Sequence, residues 1–144
     1  MRAPTEASFV AVRPPLVVDA STAVDVLVDA DAAAAWRSWQ EAGRVRVVPP
    51  HFWHELGNAL LRSRRLPLLT VVGLLHEFES QGLDIADRGP AGVRASVELA
   101  DKHGLTVYDA AYLWLAIDVD GELATRDRRL GAAAIAEGVP LAVA

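Results

Sequence analysis

His54 and Glu55, in the stretch HFWHELGNAL (residues 51–60), begin the H-E-x-x-H pattern that grips zinc on one helical face, but Asn58 stands where the second imidazole belongs. A zinc hydrolase is therefore excluded and Glu55 needs another use. The chain contains no cysteine, which removes thiol nucleophiles, iron–sulfur clusters and cysteine-ligated zinc. Any metal must be held by oxygen or imidazole. His51 and His54, three residues apart, are read as packing or solvent-facing beside Phe52 and Trp53, and His76 and His103 have no obvious partner. Four acids carry more chemistry: Asp19, Glu55, Asp109 and Asp127. Two carboxylates about 5 Å apart repel by roughly 3 kcal/mol at an effective dielectric near 20, and four contain several such pairs. A hard divalent cation removes that repulsion, since oxygen ligands suit Mg²⁺ and Mn²⁺. Such an ion activates water, orients a phosphodiester and neutralises the leaving oxygen. Phosphodiester hydrolysis is the natural task of such a set.

The elements around these acids give the reason for choosing them. LVVDA is a short apolar run of strand type closed by Asp19, with Ser21 expected as the following helix N-cap. DAAAAWRSWQEAG is helical and stops at Gly43; VRVV is a second strand; PPHFWHELGNALLRSRR opens a helix on its prolines. A helix is expected over about Leu68 to Ser80, a third strand in GLDIA, and a helix from GPAGVRASVELADKHG to Gly104. The helix YDAAYLWLAIDV, the strand GELAT, the helix RDRRLGAAAIAEG and a last strand LAVA complete the pass. Short apolar strands alternating with helices imply an α/β sandwich on a parallel sheet covered on both faces. Ligands of such folds collect at the carboxyl ends of the strands.

By that rule Asp19 and Asp127 fall at strand ends. Asp109 begins a helix that is apolar nearly all round and must be buried. Glu55 lies in the first turns of its helix on a polar stripe with Asn58 and Arg62, bordering the core-facing stripe of Leu56, Ala59, Leu60 and Ser63. Each acid also has a purely structural reading. Thr106 and Asp109 have capping-box spacing, Asp127 could be an N-cap, and Asp19 could lead a strand into a turn. Asp25, Asp29, Asp31, Asp87, Asp101, Asp118 and Asp120 are read as surface residues.

The 144 residues, 52% hydrophobic and 23% charged, fit one globular domain and exclude disorder. Residues 1–15 lack clear periodicity and end in two prolines, so they are read as an extension to a domain spanning 16–144. No apolar run reaches the roughly 20 residues that cross a bilayer, and no secretory pattern opens the chain. A cytoplasmic protein is expected. The net charge of −5 argues against binding nucleic acid through an overall positive field. Local contact is still open to the arginines, which cluster as Arg62, Arg64, Arg65 and as Arg126, Arg128, Arg129. Trp36, Trp39, Trp53 and Trp114 fall on helices, where core or dimer packing is expected over base stacking.

VVDAS with Asp19 and Ser21, PHFWHELGNAL with Glu55 and Asn58, TVYDAAYLWLA with Asp109, and LATRDRRL with Thr125 and Asp127 together resemble PIN-domain nucleases, especially toxins of the VapC type. The likeness runs over about residues 16–144 in the right order. It implies a PIN-like three-layer sandwich with a central, mainly parallel sheet of about five strands flanked by helices. It also implies a Mg²⁺- or Mn²⁺-dependent endoribonuclease with Asp19, Glu55, Asp109 and Asp127 as the catalytic and metal-holding acids. By the same likeness Ser21 and Thr125 hold carboxylates or metal waters, Asn58 supports Glu55, and the chain is expected to dimerise and to bind a small antitoxin. Arg62, Arg126 and Arg128 are candidate RNA contacts beside such a site. A phospho-receiver would need a lysine near the acids, whereas Lys102 lies late in a helix. The serious alternative is a PIN-like binding or regulatory module that keeps the acids without turnover.

Overall fold

A computed structural model describes residues 13–142 of the chain. Leu16, Val17 and Val18 form β1 (Leu16–Val18), and none of the three is exposed to solvent. A strand apolar at every position must be covered on both faces, which puts it inside a parallel sheet. Helices α1 (Ala20–Val28) and α2 (Ala30–Glu41) lead to β2 (Arg46–Val48). The chain continues through α3 (Phe52–Asn58), α4 (Leu68–Glu79), β3 (Asp84–Ile85), α5 (Gly89–His103), α6 (Val107–Asp118), β4 (Glu122–Ala124) and α7 (Arg128–Ala136). The strands form one parallel sheet in the order β3-β2-β1-β4. The chain therefore leaves β1 for β2 and β3 on one side and returns to its other side for β4. That reversal makes the carboxyl end of β1 the switch point of the sheet.

The expected α/β sandwich and parallel sheet are present, with two corrections. Among the described residues the sheet has four strands rather than about five. Leu141, the start of the expected last strand, makes one isolated parallel bridge with Leu123. Pro140 has no N–H, so it accepts from Leu123 but cannot donate, and regular pairing cannot start before Leu141; residues 143–144 of that run lie outside the described residues. The second correction concerns α1, which starts at Ala20 with Asp19 in the N-cap position, two residues earlier than a Ser21 cap. The expected extension falls mainly on residues 1–12, outside the described residues. Its end is attached to the sheet: Arg44 Nη2 donates to the Pro14 carbonyl at 3.1 Å and Glu122 N to the Pro15 carbonyl at 2.9 Å.

Two local features set the site. The helix that begins at Phe52 does not run regularly to the arginines; residues Ala59–Ser63 are π-helical, with Arg64 N bonded to the Ala59 carbonyl. Helix α6 is buried through Ala110, Tyr112, Leu113, Leu115 and Ala116, as its apolar character requires. It packs on β1 and β4 and carries its first turn to the carboxyl end of the sheet.

Candidate functional site

Asp19 follows β1 directly and is 3% exposed. Its backbone N–H continues the sheet to the Ala124 carbonyl at 3.0 Å. Its Oδ2 accepts two hydroxyls, Ser21 Oγ at 2.7 Å and Thr125 Oγ1 at 2.6 Å. Each hydroxyl has one proton, and both are committed to Asp19, so their lone pairs face other donors. Arg126 N donates to Ser21 Oγ and Asp127 N to Thr125 Oγ1, each at 3.0 Å. Two backbone amides of the loop after β4 are thus relayed through hydroxyls onto one carboxylate oxygen. Burial raises the Asp19 carboxyl above its ordinary range; the two hydroxyls oppose the rise, and the charges of Glu55 and Asp109 add to it.

Glu55 occupies the first turn of α3 with its side chain 31% exposed, bordering the core as its stripe predicts. Its Oε1 lies 2.9 Å from His51 Nε2 and accepts the Tyr112 hydroxyl at 3.3 Å. The Tyr108 carbonyl is also 3.0 Å from His51 Nε2. Both neighbours are acceptors, so Nε2 carries the proton. Burial and the nearby acids push the Tyr112 phenol far above its ordinary value, which keeps it a donor. Asn58, expected to support Glu55, is exposed. Among the described residues it is His51 and Tyr112 that hold this carboxylate. Sequence reasoning missed both partners, although His51 stands at i−4 to Glu55 and Tyr112 at i+3 to Asp109, the spacings of one helical face.

Asp109 and Asp127 combine capping with charge. The Thr106 hydroxyl caps α6 by accepting from Asp109 N at 3.1 Å, and Asp127 caps α7 by accepting from Leu130 N at 3.0 Å. Asp109 is raised, first by burial, then by Asp127 and Glu55, with Thr106 and His51 pulling it down. Each of the four acids therefore acts electrostatically on at least one other. Among the described residues no three His, Asp or Glu side chains are gathered closely enough to enclose an ion. The arrangement is an open one, an acidic crevice and not a closed cage. By donor chemistry it fits a hard divalent cation: every donor is an anionic oxygen, and a cation relieves the mutual repulsion that, with burial, raises Asp19 and Asp109.

The two arginine clusters meet here. Asp25, read as a surface acid, lies 3.1 Å from Arg126 Nε and 3.6 Å from Arg64 Nη2. Arg62 and Arg128 are exposed.

The PIN domain family profile matches residues 16–136. No curated protein matches the chain by sequence. Among solved structures the chain is similar to PAE2754 of Pyrobaculum aerophilum (TM-score 0.67, 24% identity, 83% of this chain and 79% of that one). It is also similar to VapC20 of Mycobacterium tuberculosis, a toxin that cleaves the sarcin–ricin loop (TM-score 0.66, 18% identity, 82% and 94% covered). A third likeness is to a toxin–antitoxin complex of Klebsiella pneumoniae (TM-score 0.57, 20% identity, 78% and 86% covered). At these identities the likenesses establish the fold.

Proposed function

Because the chain belongs to the PIN-domain family, we propose that it is a Mg²⁺- or Mn²⁺-dependent endoribonuclease, the VapC-type toxin of a toxin–antitoxin pair. The observation that carries this reading is that Asp19, at the switch point of the sheet, is joined through the Thr125 hydroxyl to the Asp127 N–H, while Glu55 is held by Tyr112 of the helix whose first turn carries Asp109. In this reading the four carboxylates hold the ion. Ser21 and Thr125 keep Asp19 aimed, and His51 with Tyr112 keeps Glu55 aimed, as hydrogen-bonded neighbours of metal ligands do. When bound, the ion supplies an activated water and neutralises charge on the departing oxygen. Arg62, Arg126 and Arg128 contact phosphates on either side of the cut. A small antitoxin, supported by the likeness to a toxin–antitoxin complex, and a second copy of the chain are the expected partners. Among the described residues no helix is long and apolar enough to cross a membrane, and action in the cytoplasm follows from the proposed role.

The test is cleavage of single-stranded and structured RNA by the purified protein with Mg²⁺ and with Mn²⁺, beside an Asp19→Ala control. Cleavage by the wild type that vanishes in the control is the expected result. Wild-type activity no greater than that of the control with either ion would leave a binding or regulatory module in place of the enzyme.

A further inference from the structure

A concavity of about 650 Å³ opens beside the acidic crevice, between the residues that follow β2 and β3 and the adjoining faces of α5 and α6. Ligand sites commonly measure ~300–1,000 Å³ and combine apolar walls with a few polar groups. Its walls include the rings of His51, Tyr108 and Trp114 and the side chain of Val93, and Arg88 and Thr106 bring polar groups to it. Tyr108 is 66% exposed and Val93 56% exposed, so wide apolar surface here meets water.

The acidic crevice identifies the occupant. His51 lines the cavity and lies 2.9 Å from Glu55, while Tyr108 lines it and directly precedes Asp109. Two of its lining residues thus adjoin Glu55 and Asp109, which sets the cavity next to the carboxylates. The chain carries a net charge of −5, so a general positive field cannot supply the affinity for RNA. Stacking on aromatic rings can, because it needs no positive field and contributes roughly 5–100-fold per base. The polar groups suit the edge of a base. Arg88 commits its Nε–H to Asp118 at 2.8 Å and has further N–H donors, and the Thr106 hydroxyl accepts from Asp109 N while keeping its own proton to donate.

We propose that this cavity is a nucleobase subsite, which takes a base unstacked from the strand next to the scissile phosphate. The proposal rests on the nuclease reading above and narrows its substrate to RNA that is single-stranded or looped at the cut, since a base inside a helix is not free to enter.

The experiment uses the wild type, Tyr108→Ala and Val93→Trp. The first removes a wall; the second fills the opening from an exposed position. A short RNA with a mapped cut is remade with the base omitted from one position at a time, for three nucleotides on each side. One flanking position should show kcat/KM lowered roughly 5–100-fold by omission in the wild type, and both variants should lose most of that penalty while melting cooperatively. Binding of the same RNAs in EDTA, followed by fluorescence anisotropy, gives a readout independent of turnover. Base-dependent binding without any cleavage would keep the subsite and overturn the nuclease. Cleavage with no penalty at any position, or with the same penalty in the variants as in the wild type, would overturn the subsite and keep the nuclease. An unchanged penalty together with loss of a dimer in Val93→Trp, read by light scattering, would also overturn it and make this face a contact between copies.

Discussion

A single hydroxyl, that of Thr125, connects two of the acids: it donates to Asp19 at 2.6 Å and accepts from Asp127 N at 3.0 Å. Replacing it with valine keeps the shape and removes both bonds. Groups that orient a metal ligand in this way typically contribute 10–100-fold to affinity, so Thr125→Val should weaken Mn²⁺ binding by about that factor in calorimetry, with Thr125→Ser close to wild type. Unchanged affinity in the valine variant would remove Thr125 from the site. Asp109 tests the charge crowding. Burial raises its carboxyl, and Asp127 and Glu55 raise it further, so its ionised form is a local cost to the metal-free fold. Asp109→Asn should accordingly raise the thermal midpoint without metal, each kcal/mol being ~2–4 °C for a domain of this size. The same change should remove the upward shift that Mn²⁺ gives the wild type. A variant that melts lower without metal and still responds to Mn²⁺ would contradict both halves.

At the scale of elements, the contact of α5 with α6 depends on Gly92. A Cβ there would come within 2.9 Å of Trp114 Cζ3 and 2.8 Å of Arg88 Cβ. The indole is a rigid wall, so Gly92→Ala should push the helices apart and destabilise by about 1–3 kcal/mol, the usual cost of overpacking, measured by urea unfolding. The far end of α5 is tied to the end of α7 differently: Lys102 Nζ and His103 Nε2 each lie 2.7 Å from Glu137 Oε1. The Lys102 bond, then the His103 bond, holds the Glu137 carboxyl below its ordinary value. With a depressed folded value, the stability it contributes is complete above the ordinary glutamate value, about 4.3, and is lost as pH falls through the depressed one. The urea midpoint of the wild type should therefore exceed that of Glu137→Gln at pH 6, and the difference should shrink as the pH falls below the ordinary glutamate value. Such ties were not legible beforehand. Element type and order were, because β1 is a continuous apolar run, β2 and β4 each carry two apolar residues, and α6 is apolar nearly all round. The π-helical turn at Ala59–Ser63 was not, since ALLRS has the periodicity of an ordinary helix.

For the whole molecule, Asp19 and Asp127 could be placed from the sequence because a parallel sheet sends its strand ends to one side, whereas Glu55 and Asp109 stood out by their positions in the first turns of helices. Tyr112 and the Asp25 pairing were hidden because they depend on how segments distant in sequence come together, whereas His51, at i−4 to Glu55, was a local partner read instead as packing or solvent-facing. Asp25 looked like a solvated acid and instead lies between the arginine groups, 3.1 Å from Arg126 and 3.6 Å from Arg64. This pairing has a consequence for the proposed binding of RNA to a chain of net charge −5. Arg128 is exposed and can meet a phosphate at once, whereas Arg126 must first exchange Asp25 for it. Each lost phosphate contact lowers the slope of log affinity against log salt by roughly 0.7 for a single strand. Arg128→Ala should therefore weaken RNA binding more at low salt than at high salt and reduce that slope by about one contact. Arg126→Ala should do the same to a smaller degree, because the replaced guanidinium was already paired. Asp25→Asn should act in the opposite sense, freeing Arg126 and steepening the slope. Filter binding between about 50 and 200 mM salt resolves these slopes. Parallel lines for all four proteins would return both arginines to the solvated surface and leave the affinity to the uncharged contacts.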